Sequence, residues 1–123
     1  MAESVPASLL IKGRALKMNS RDFVQTVRRV LDAAPLERER AADEIADCLS
    51  SYSAAQASAL ATVLAAAVVS EKERSVMEAE LHAILELMST GYVTRAHVEQ
   101  LQDLDVDRLP AEIQGYVTDL LEG

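Results

Sequence analysis

Residues 54–69, AAQASALATVLAAAVV, constrain this chain more than any other stretch. Ala and Leu dominate it, so it is helical by intrinsic propensity, and it is apolar on nearly every side. A helix of that kind has to be covered on more than one face. Its small side chains let neighbouring helices come close, so it reads as the central post of an all-helical domain. The competing reading is a membrane span. The stretch falls short of the roughly 20 apolar residues that a bilayer crossing needs. Gln56, Ser58 and Thr62 interrupt it, and an Ala-rich segment inserts weakly compared with one rich in Leu or Ile. The expectation is a buried core helix and no membrane association.

Most of the remaining helices have a readable start or stop. The 123 residues suit one domain, here an arm, 1–18, followed by a single helical domain, 19–123. Ser20 or Asn19 caps a first helix running to about Ala33, with Phe23, Val24, Val27, Val30 and Leu31 at helical spacing. Pro35 closes it and leads into a second, about 36–51, with Ala41, Ile45, Cys48 and Leu49 turned inward. Ser53 and Gln56 make a Ser-x-x-Gln capping box for the central helix. Ser70 and Glu73 repeat the device for a fourth helix, about 71–89, whose Met77, Leu81, Ile84, Leu85 and Met88 share one arc. Gly91 fits a left-handed helix stop. Thr94 caps a shorter fifth helix to about Leu104, and Pro110 sits in the first turn of the last, about 110–121. No period-two alternation stands out, so strands are not expected.

Six helices joined by short turns make successive antiparallel neighbours. They read as three hairpins, 20–51, 54–89 and 94–121, stacked as a small HEAT-like α-solenoid or closed into a compact bundle. No residue motif recurs at a fixed period, so both arrangements stay open. Residues 1–18 show no strong period and read as a loose arm or a short helix. Met18, followed by Asn-Ser-Arg-Asp, makes an alternative start that would leave 1–17 without a role in the fold.

Charge narrows the partners. The formal net charge is −8, and it is unevenly placed: residues 1–30 carry +4 and residues 31–123 carry −12. An acidic body repels phosphate backbones and attracts basic proteins, so nucleic-acid binding by the body is not expected. Phe23, Tyr52, Tyr92 and Tyr116 are the only aromatic residues, which leaves few rings for stacking on bases or sugars. Cys48 is the single cysteine, so no internal disulfide forms, and its place on an inner helix face suits a packed thiol better than a nucleophile. The apolar run Leu9–Ile11 is short and its cations follow rather than precede it, unlike a signal peptide. The expected compartment is the cytoplasm.

Two groupings come nearest to chemistry. Glu78, His82 and Glu86 fall at i, i+4 and i+8 on the fourth helix, one stripe on which carboxylates could raise the histidine's basicity or share a metal. The di-iron bundle pattern requires Glu-x-x-His on each of two helices, yet Ala79 precedes His82 and Thr94 precedes His97 at that spacing. Asp103, Asp105 and Asp107 open like a calcium loop, but Arg108 and Gln114 occupy the positions where Gly and Glu belong. Glycine-rich phosphate loops, a Gly-x-Ser-x-Gly elbow, His-Glu-x-x-His and Cys-x-x-Cys are all missing. Neither an enzyme nor a cofactor or metal is expected.

What remains is acidic surface: Glu39, Asp43, Glu44 and Asp47 on the second helix, Glu78 and Glu86 on the fourth, and Asp103, Asp105 and Asp107 in the turn after the fifth. Solubility alone accounts for many such faces; the functional reading is capture of a basic protein by steered association. The stretches ERERAADEIADCL and EAELHAILELMSTGYVT, with LDVDRLP after it, carry a resemblance. Across residues 36–121 the chain resembles the small, acidic, all-helical immunity proteins encoded beside bacterial polymorphic toxins, those of actinobacteria above all. The resemblance implies binding of a cognate toxin domain by covering its active site, and it brings no shared catalytic residues. A second reading, from another class, is a self-associating helical adaptor or regulatory protein.

Overall fold

The computed structural model describes Lys17 to Glu122 and the backbone of residues 10–11 and 14–15. The domain is all-helical. Its elements are α1 (Ser20–Val30), α2 (Pro35–Asp47), α3 (Ala54–Ser70), α4 (Arg74–Met88), a 3₁₀ segment (Arg95–Asp103) and α5 (Ala111–Glu122), with short 3₁₀ turns at Leu49–Ser51 and Val106–Arg108. The arm holds a strand pair that was not expected. Leu10–Ile11 (β1) runs antiparallel to Arg14–Ala15 (β2), with Leu10 opposite Ala15; a two-residue ladder is too short to leave a period-two signature. The other residues of 1–16 lie outside the described residues, so the reading of them as loose or helical does too.

α3 is the central post. Ala57, Leu60, Ala61, Leu64, Ala65, Ala67 and Val68 are buried along it, and it packs against α4, the 95–103 segment and α1. No helix among the described residues is long and apolar enough to cross a membrane. Each hairpin gives one helix to each of two layers: α1, α3 and the 95–103 segment in one, α2, α4 and α5 in the other. Arg38 near the start of α2 binds Glu71 just before α4, and Ser75 in the first turn of α4 donates to Glu39, so α2 and α4 run parallel. Arg74 reaches Glu112, which sets the starts of α4 and α5 side by side. Three hairpins therefore lie flank to flank. The arrangement fits a compact helical bundle, and all three hairpin turns emerge at one end.

Several boundaries differ from expectation for local reasons. Asn19 is the cap of α1, its Oδ1 accepting the Asp22 N–H at 2.8 Å. α1 stops at Val30, and Val24 and Leu31 are exposed, because α1 stands at the edge of its layer and buries a narrower stripe. Pro35 is the first residue of α2, where its missing N–H has no helical partner to lose. The Ser53–Gln56 capping box forms, at 3.1 and 3.0 Å. The Ser70–Glu73 box does not: α3 runs through Ser70, whose hydroxyl donates back to the Ala67 carbonyl at 3.2 Å. Glu71 instead accepts the Lys72 and Glu73 N–H groups, each at 3.2 Å. The fifth helix is 3₁₀ and kinks at Val98, with the Thr94 N–H donating to His97 Nδ1 at 3.0 Å. Pro110 precedes α5, its carbonyl taking the Gln114 N–H. Gly91 adopts φ +84°, as a left-handed stop requires.

Lys17 and Met18 belong to the fold. The Met18 N–H donates to the Ser51 carbonyl at 2.7 Å, its own carbonyl accepts from Gln56 Nε2 at 2.9 Å, and its side chain packs on the core. Lys17 Nζ donates to the Ser50 and Tyr52 carbonyls at 3.2 and 3.3 Å.

Candidate functional site

The parallel packing of α2 and α4 joins two of the three acidic groupings into one face. Asp43 and Asp47 are exposed on α2, while Glu78 and Glu86 flank exposed His82 on α4 as half-buried neighbours. The charges are close enough to be felt. Partial burial, then Glu39 and Asp47, hold the Asp43 carboxyl above its ordinary range, with His82 pulling it down. Glu39 sits at the turn end of this face and accepts from Ser75 Oγ at 3.2 Å. Asp43, Asp47, Glu78 and Glu86 have no ion-pair partner among the described residues.

Glu44 does not share that freedom. Arg29 on α1 donates to both of its oxygens, at 2.7 and 2.9 Å, and also binds Glu37. Hydrogen bonding to Glu44 first, and then to Glu37, raises the Arg29 pKa despite its partial burial. Glu44 is thus a structural tie between α1 and α2, half-buried and already neutralised. The turn residues Asp103, Asp105 and Asp107 are all exposed, but they belong to the third hairpin, with α4 between them and α2. Asp105 pairs with Arg108 at 3.2 Å. That turn is a separate acidic patch. Among the described residues no three His, Cys, Asp or Glu side chains converge to hold a metal ion.

Sequence reasoning passed over a second cluster, at the turn end. Glu71 is buried and Arg38 grips it through two bonds of 2.8 Å, Nε to Oε1 and Nη2 to Oε2. Arg38 Nη1 also donates to the carbonyls of Asp32 and Ala33, at 2.8 and 3.1 Å, bracing the α1–α2 turn. Burial alone would raise the Glu71 carboxyl, but the Arg38 bonds and the Glu73 and Lys72 N–H groups hold it below its ordinary value. Behind this pair lies Glu80, fully buried, whose oxygens meet no N–H or hydroxyl donor and whose carboxyl lies within hydrogen-bond reach of Glu71. Burial first, and then the Glu71 carboxylate, push Glu80 up to about 8, with Arg38 opposing. Arg38 and Glu71 also wall an open pocket of about 370 Å³ whose lining includes Val30, Leu31, Ala67 and Lys72.

One signal for Glu80 was present. Val76 lies four residues before it and Ile84 four after, so it stands inside the apolar stripe of α4, on the opposite side from His82. Glu71 carries no such signal, since its partner is 33 positions away. Cys48 is buried as expected; burial, then Asp47 and Glu44, raise its thiol and make it a poor nucleophile. Compared with protein-family models, with curated proteins and with solved structures, the chain matches none.

Proposed function

We propose that this protein is a protein-binding module for a basic partner, in the specific form of an immunity protein that neutralises a cognate bacterial toxin domain. The observation that carries the reading is the α2–α4 face. Asp43, Asp47, Glu78 and Glu86 stand on adjacent helices without cationic partners among the described residues, whereas Glu37, Glu44 and Glu71 are all paired. Carboxylates held on packed helices keep their spacing, so a basic surface meets a preformed negative field rather than one it must organise. Such a field speeds encounter and weakens as salt screens it. The sequence resemblance supplies the kind of partner, and the absence of shared catalytic residues in that family fits inhibition by covering a site.

The test is inhibition of the toxin encoded beside this gene, measured with purified protein across a salt series. Inhibition that weakens as salt rises supports the reading; neither binding nor inhibition refutes the immunity assignment.

Self-association is favoured by a different observation. Leu31 and Leu36 are 59% and 56% exposed, and with Val69 they crowd the turn end. α3 buries one face under this chain's own helices and leaves Ala55, Ala59, Ala66 and Val69 exposed, so a second copy would meet that small-residue stripe and the apolar end. Sedimentation at increasing concentration distinguishes the two: a strict monomer leaves only the hetero-partner reading.

A further inference from the structure

The cluster at the turn end is short of one positive charge. It holds two buried carboxylates, Glu71 and Glu80, and one cation, Arg38. A guanidinium has five N–H donors, and four of those on Arg38 are spent on Glu71, Asp32 and Ala33. The fifth makes no bond to Glu80, whose hydrogen-bond neighbour is the Glu71 carboxylate, an acceptor that only a protonated Glu80 can donate to. Nothing else faces it with charge. α3 contains no ionisable residue, and the charged residues of α5, Glu112, Asp119 and Glu122, are exposed. From α2 only Arg38 acts on it, and from the α3–α4 turn only Glu71, of like charge. An ionised carboxylate in such a place is strongly disfavoured, while the neutral acid is tolerated.

We infer that Glu80 carries a proton in the folded protein at neutral pH and that this proton is a pH-sensitive lock on the packing of α4 against α2 and the α3–α4 turn. Removing the proton leaves an unsolvated charge beside Glu71. The charge is relieved only when water or a cation reaches it, which requires the turn end, where Arg38 and Glu71 wall the pocket, to loosen. Since α2 and α4 also carry the acidic face, loosening them changes the spacing of its carboxylates.

The sign follows from linkage. The folded-state value, about 8, lies above the ordinary value of 4.5. Between the two the folded state holds more protons than the unfolded state, so stability falls as pH rises through that window and levels off above it. Each pH unit inside the window lowers the folding equilibrium constant about tenfold from this group alone.

The experiment compares denaturant unfolding of the full chain and of Glu80→Gln from pH 5 to pH 9, with Glu80→Met as a second variant that lacks polar atoms. The expected result is a wild-type constant that falls relative to either variant by about tenfold per unit up to near pH 8 and then runs parallel to it. An infrared carboxylic-acid stretch in the wild type at pH 7, lost as pH passes 8 to 9, is the matching direct readout and needs no variant. Equal pH dependence in wild type and variants, or no carboxylic-acid stretch at pH 7, overturns the inference.

Discussion

Arg38 shows how much one side chain does in this fold. It neutralises a buried carboxylate, braces the α1–α2 turn through two carbonyls, and ties α2 to the α3–α4 turn. Removing one partner of a buried pair strands the other, at a cost of about 3–5 kcal/mol. Arg38→Met is expected to lose that much in denaturant unfolding. Arg108→Ala breaks only the exposed pair with Asp105, and should change stability by less than about 1 kcal/mol. The residues that sequence alone placed correctly are those whose environment is local: Ile45, Cys48, Leu81 and Ile84 sit on apolar stripes and are buried. Glu44 was misread because its cation comes from another helix, and Glu71 was passed over because its partner is in another hairpin. Glu80 was hidden by its own charge, although Val76 and Ile84 bracket it in the core stripe.

At the scale of elements, the same division separates what was legible from what was not. The Ser53–Gln56 box is read correctly because all its groups lie within four residues. The Ser70–Glu73 box has the same spelling but fails, since α3 finds enough apolar cover to continue through Ser70 and Glu71 takes over the exposed N–H groups. A differential prediction follows. Ser53→Ala should lower stability by about 1 kcal/mol, the usual value of a lost N-cap, whereas Ser70→Ala should lie within about 0.5 kcal/mol of wild type, as for a surface change away from a cap. Thermal unfolding of the two variants side by side reads the difference. Ala61, fully buried on α3, tests the close approach: Ala61→Leu should cost about 1–3 kcal/mol through overpacking.

The whole molecule is three hairpins in two layers, and that arrangement rather than any motif makes the candidate surface. The helix count and the pairing of 20–51, 54–89 and 94–121 were visible in turn signals and periodicity. The close packing of α2 on α4, with the acidic stripes of both turned to one side, was not, because it depends on contacts between hairpins. Only that packing turns two separate acidic stripes into one field, while the Asp103–Asp107 turn stays apart on the third hairpin. Charge reversal on the face should therefore act on partners and not on folding, since Asp43, Asp47, Glu78 and Glu86 form no ion pair among the described residues that would be lost. The most direct measurement is the binding kinetics of the basic toxin domain that the proposed function calls for, with wild type and with Asp43→Lys, Asp47→Lys, Glu78→Lys and Glu86→Lys combined, at low and high salt. Wild type is expected to associate fast and in a salt-sensitive way, and the variant to bind at least about tenfold more weakly at an unchanged melting temperature. Equal affinity for both proteins, with the same response to salt, would contradict the acidic-face reading.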